Sequence, residues 1–248
     1  MAFDTGRSAW GQSQAQAVSY DVGLRQYMLR VYNYMASGLA LTGIVAALVA
    51  NSAALQSLFF QVGPTGAVGL SGLGWLALIA PVVLVFGLSM GIARMQASTA
   101  QGLFWAYAAL MGVSMAPVFL VYTGESVARV FFITAASFGG LSLWGYTTKK
   151  DLTGFGSFLV MGLWGLIVAS IVNMIWPSNG LGFVISAAGV LIFAGLTAYD
   201  TQKIKQMYWE GHGHEVESKS AIMGALTLYL DFINLFIMLL RFFGDRRQ

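Results

Sequence analysis

Apolar runs about 20 residues long recur seven times in this chain, and that recurrence leaves few folds open. They lie at 31–51, 74–94, 102–122, 126–146, 155–176, 180–199 and 222–243. As a helix rising about 1.5 Å per residue, each matches the ~30 Å hydrocarbon core of a bilayer. No connection between them is long enough for a separate soluble domain. Strand-period alternation is absent, which sets aside an outer-membrane barrel. Of the 248 residues, 57% are hydrophobic and 9% charged, too few charges to cover a soluble globule, for which about 25% is ordinary. A soluble enzyme and a disordered chain are both excluded. The expected fold is an all-α polytopic membrane protein with seven transmembrane helices.

The remainder is sparse. Residues 1–24 read as a polar cytoplasmic tail without the apolar core of a signal peptide, with 20–30 entering the first span as an interfacial helix. Residues 25–244 form the transmembrane domain and 245–248 a short C-terminal tail. The glycine-rich GPTGAVGLSGLGW (63–75) lacks the lysine of a phosphate loop and reads as a flexible external turn. A tight turn is expected at WPSNG (176–180). The net charge is +3, but the basic residues end apolar runs instead of forming a patch, so they mark topology and not nucleic acid. With the N-terminus inside, nine Lys and Arg face the cytoplasm. Arg129, Arg241, Arg246 and Arg247 face outward, the last three against the rule. There are no cysteines, hence no disulfides or thiolate sites.

Ionisable groups inside a span are functional candidates by default. In the last span Asp231 stands nine residues in, about 13 Å deep. Gly224, Thr227, Asp231, Asn234, Met238 and Arg241 share one helical face. A polar stripe on an apolar helix must face protein or water, so the seventh helix is central or lines a cavity. Asp200, at the end of the sixth span in TAYDTQKIKQMY, reads on spacing alone as a boundary carboxylate paired with Lys203 or Lys205. Arg94, closing the second span, reads as a snorkelling residue. Glu125 is four residues from Arg129 and suits an ion pair with it. His212, His214, Glu215 and Glu217 have metal-like spacing but lack a second ligand cluster, so they read as a polar loop.

Three motifs add to this: GYTTKKDLTGFGSFLVMGL (145–163), FAGLTAYDTQKIKQMY (193–208) and LTLYLDFINLFIMLLRFFG (226–244). Together, in this order, they resemble the transmembrane Bax inhibitor motif family, its bacterial members in particular, across roughly residues 25–244. The resemblance implies six helices wrapped around a central polar seventh, and a bacterial inner membrane is the expected location, with the C-terminus outside on the Lys and Arg placement. It implies that Asp200 and Asp231 form a hydrogen-bonded dyad and that Arg94 latches onto Asp200. It further implies a pH-sensitive calcium leak.

A dyad of this kind shares one proton, because two close carboxylates resist ionising together at low dielectric. Losing the proton attracts a cation, and hard oxygen ligands suit Ca2+. Asp200 and Asp231, with Asn234 and waters, are the expected transient cation ligands. Ca2+ is the permeant ion here, and no cofactor is expected. For Asp200 and Asp231 to touch, the sixth helix must continue past Asp200. The alternative is a non-conducting membrane regulator, such as a modulator of a membrane-anchored ATP-dependent protease, with residues 1–24 contacting a membrane-protein partner. An intramembrane aspartyl protease is set aside because YLD lacks the Gly-x-Gly-Asp flank. A rhodopsin is set aside because no lysine lies within a span. No paired half-helices suggest a secondary transporter. Oligomeric state stays open.

Overall fold

The computed structural model describes residues 5–62 and 68–247, with side chains described for residues 22–61 and 69–247. Eight helices account for nearly all of it: α1 (Thr5–Asn51), α2 (Ala53–Phe59), α3 (Gly72–Gly91), α4 (Ala97–Val121), α5 (Gly124–Thr147), α6 (Thr153–Ile175), α7 (Asn179–Gln206) and α8 (His214–Phe243). Seven of these, all but α2, are long and apolar enough to cross a membrane, α1 through its Val22–Asn51 portion. Residues 1–4 of the expected N-terminal tail lie outside the described residues, and α1 already begins at Thr5.

The expected turn at 63–75 is in part a short antiparallel hairpin, β1 (Phe60–Val62) against β2 (Val68–Leu70). Its residues 63–67 lie outside the described residues. The hairpin is tied to α2 and α3: Ser71 caps α3 through Gly74 N, and its own N–H bonds the Phe59 carbonyl.

Burial separates one helix from the rest. In its most apolar 18-residue window α8 is 72% buried, against 11–39% for the other six spans. It packs against α1, α4, α5 and α7, while α3 lies mainly on α4 and α6 on α7. The central position expected of the last span therefore holds, with α3 and α6 as an outer layer. A membrane bundle gains little from burying apolar surface against equally apolar lipid, so close contact and internal hydrogen bonds hold it together. Gly112 lets α4 approach α1: a Cβ there would stand 2.7 Å from the Thr42 carbonyl oxygen. Gly145 does the same between α5 and the Ala198 backbone of α7.

Buried hydroxyls stitch the same helices. Thr42 on α1 donates to the Ala108 carbonyl of α4 at 2.8 Å and shares a 2.7 Å bond with the Tyr229 hydroxyl of α8. Tyr32, Ser142 and Thr201 form a second ladder from α1 through α5 to α7, at 2.6 and 2.9 Å.

The bundle has two ends. The α3–α4, α5–α6 and α7–α8 connections gather at one, with all five lysines near it. The α2–α3 hairpin, the α4–α5 and α6–α7 turns and the chain's C-terminal residues gather at the other. There residues 244–247 lie along the α4–α5 turn. Thr123 N bonds the Asp245 carbonyl and Arg247 N bonds the Val121 carbonyl. Arg129 forms an ion pair of 2.7 Å with Asp245, and not with Glu125 as the spacing suggested. A loop partner brought in by the fold outcompetes the i+4 neighbour.

Candidate carboxyl dyad between the last two helices

The site is built by the register of two antiparallel helices. Down the contact between them, Gly224 of α8 faces Ile204 of α7, and Gly189 of α7 faces Met238 of α8. Both glycines remove a Cβ that would push the helices apart. Between these two levels the carboxyls of Asp200 and Asp231 come into hydrogen-bonding contact. The stripe read from the sequence is thus the face α8 turns toward α7.

Two adjustments to the expected helix limits make this meeting possible. Helix α7 continues beyond Asp200 to Gln206, as the absence of Pro and Gly in TAYDTQKIKQMY allows. Helix α8 starts at His214, eight residues before the apolar run. Asp231 stands nine residues into the apolar run and seventeen into the helix, about 26 Å from its start. The polar extension is held by tertiary contacts. The Glu215 carboxylate accepts the Ala97 N–H at 2.7 Å, capping the start of α4, whose own N-cap Gln96 provides no side-chain bond. Glu217 pairs with Arg30 of α1 at 3.5 Å. These two glutamates thus fasten helices together.

The two carboxyls differ in environment. Asp231 is 5% exposed, whereas Asp200 is half-buried. Two ionised carboxylates offer only acceptors, so a hydrogen bond between them requires a proton on one. Oδ2 of Asp231 has no hydrogen-bond partner among the described residues. Lys203, one turn on from Asp200, exerts an electrostatic attraction on its carboxylate without forming an ion pair among the described residues. Lys205 is engaged elsewhere, donating to the Tyr146 carbonyl at 2.8 Å with its ammonium 4.9 Å from that ring's centroid.

The other residues singled out lie apart from the dyad. Asn234 donates to the Leu230 carbonyl of its own helix at 2.8 Å. Arg94 is exposed in the turn between α3 and α4 and forms no ion pair with Asp200. His212 stacks edge-on against Trp209, and among the described residues no three His, Asp or Glu side chains gather as a metal cluster. The dyad by itself supplies two carboxyls, a partial oxygen shell for a hard cation that takes 6–8 ligands. The hydroxyl ladder through Tyr32, Ser142 and Thr201 escaped the sequence reading. Isolated Ser and Thr in apolar helices carry no signal of which helix they face.

Residues 24–248 match the model of the family described as inhibitor of apoptosis-promoting Bax1. An uncharacterized protein of Rickettsia prowazekii is 49% identical over 230 residues, covering 93% of this chain and 94% of its own. An uncharacterized protein of Caulobacter vibrioides is 49% identical over 232 residues, with 93% of each covered. The inner membrane protein YbhL of Escherichia coli is 47% identical over 232 residues, covering 91% of this chain and 94% of its own.

Proposed function

The chain belongs to the family of the inhibitor of apoptosis-promoting Bax1, and from that premise we propose that it is a proton-governed cation leak, with Ca2+ as the permeant ion. The meeting of the Asp200 and Asp231 carboxyls carries this reading. A buried carboxyl on the central helix of a bundle is expensive to keep unless it serves a site or pathway. Its location in a bacterial inner membrane is supported by its similarity to the inner membrane protein YbhL of Escherichia coli. The excess of Lys and Arg at the α3–α4, α5–α6 and α7–α8 end favours that end in the cytoplasm, which puts the C-terminus outside.

The mechanism rests on charge at the pair. With one proton shared, the dyad carries a single negative charge and its oxygens hold each other. Release of that proton leaves two carboxylates that repel and draw in a divalent cation. Two carboxyl groups with water make a weak, transient site, suited to passage and not storage. Asn234, one turn along α8, lends a further oxygen when its side chain turns from the Leu230 carbonyl. Arg94 serves as a latch when the α3–α4 turn swings toward Asp200.

The test is calcium flux into liposomes containing the purified protein, measured across pH for wild type, Asp200→Asn and Asp231→Asn. PH-dependent flux that flattens in both variants supports the proposal, and unaltered flux overturns it. A variant lacking residues 1–24 retains flux on this reading. A partner-mediated regulator would show no flux in any of these preparations.

A further inference from the structure

Arginines are concentrated where a topology rule disfavours them. At the C-terminal end of the bundle lie Arg129, Arg241, Arg246 and Arg247 and no lysine. Two of the four are used internally: Arg129 pairs with Asp245, and Arg247 Nε donates to the Tyr122 carbonyl at 3.2 Å. The side chains of Arg241 and Arg246 form no ion pair or hydrogen bond among the described residues. Both line one cavity of about 510 Å³ between the α6–α7 turn, the end of α8 and the C-terminal residues.

The rest of that cavity combines polar and apolar side chains. Asn173, Ser178, Asn179 and Ser186 line it, and no carboxylate does. Asn173 uses its Oδ1 to accept the Ser178 N–H at 3.0 Å, which leaves its amide N–H groups free. The 28-residue α7 starts here. Ser178 Oγ caps the Leu181 N–H, so the N–H groups of Asn179 and Gly180 remain at the mouth of a helix with its positive end toward the cavity. Phe183 and Phe242, with ring centroids 5.1 Å apart, form the apolar wall. Trp176, 70% exposed beside it, has the amphipathic character of a residue at headgroup level.

We propose that this cavity is a binding site for a phosphate group, either free in solution or carried by an anionic phospholipid. Two unpaired guanidinium forks suit the bidentate geometry of phosphate oxygens better than ammonium groups do. A helix N-terminus and a side-chain amide add neutral donors. The site is independent of the dyad, which lies nearer the opposite end of α7, so either reading stands without the other.

The experiment uses the full-length protein, delipidated in detergent and also reconstituted in nanodiscs. Thermal unfolding is followed against sodium phosphate and against sodium chloride at equal ionic strength. It is then followed in phosphatidylglycerol against phosphatidylcholine discs. The expected result is saturable stabilisation by phosphate, by phosphatidylglycerol, or by both, the responding arm naming the source. Arg241→Gln with Arg246→Gln weakens it about tenfold, as loss of charge-assisted bonds requires, while Arg25→Gln at the opposite end leaves it unchanged. If the double variant does not fold, Arg241→Lys keeps the charge, removes the fork and still weakens binding. Equal behaviour of phosphate and chloride together with equal behaviour of the two lipids in wild type overturns the proposal. Equal weakening by Arg25→Gln does so as well.

Discussion

Asp231 is the buried member and Asp200 the half-exposed member of a carboxyl pair that joins α8 to α7. On the proposed reading, Asp200 is the side from which protons and cations arrive, while Asp231 lies in the core of the bundle. A cation drawn to this pair competes with the shared proton. Calcium binding to the purified protein is therefore expected to tighten as pH rises and to release protons. Isothermal titration in buffers of different ionisation enthalpy measures both, and both are expected to vanish in Asp231→Asn.

Arg94 provides a test of the latch alone. It is exposed and unpaired with Asp200 in this arrangement, so Arg94→Gln is expected to leave stability within about 0.5 kcal/mol. Flux is expected to rise, because the variant has no guanidinium to compete with Ca2+ for the ionised dyad. Unchanged flux would remove Arg94 from the mechanism without touching the dyad.

The shared bond between Thr42 and Tyr229 predicts a cost in stability. Thr42→Val removes the partner of a buried tyrosine hydroxyl and the donor to the Ala108 carbonyl. Hydrogen bonds between membrane helices average about 0.6 kcal/mol, with a maximum near 1.7, and two groups lose their partner here. A loss of about 1–2 kcal/mol is expected in reversible denaturation. Tyr229→Phe, which leaves Thr42 its bond to Ala108, is expected to cost less.

Much of the fold was written in the apolar runs, because a span of about 20 apolar residues in a bilayer has only the helix available to it. Asp231 was legible for the related reason that a carboxyl in such a run has to be accounted for. Its meeting with Asp200 was not legible from spacing. It depends on the register of α7 against α8, which Gly189 and Gly224 set by close contact. The eight residues by which α8 precedes the apolar run were not legible, because HEVESKSA carries no apolar signal. Its helix is held by Glu215 on the Ala97 N–H and Glu217 on Arg30. The partner of Arg129 was misassigned because Asp245 comes alongside only when the C-terminal residues fold back along the α4–α5 turn.

Asp151, in the connection between α5 and α6, titrates outside the spans. Hydrogen bonds from the Thr153 hydroxyl at 2.6 Å and the Thr153 N–H at 2.9 Å hold its carboxyl below the usual carboxylate range. A depressed folded value means that its ionised form supports the start of α6 at neutral pH. That support is lost as pH falls through the folded value. Carboxyl NMR should give a low midpoint for Asp151 that moves up toward the ordinary value in Thr153→Val.

The most direct test of the dyad is calcium flux in proteoliposomes, followed across pH for wild type and Asp231→Asn side by side. The account predicts a pH-dependent flux in wild type and a reduced, pH-insensitive one in the variant. Equal flux with the same pH profile in both would contradict it.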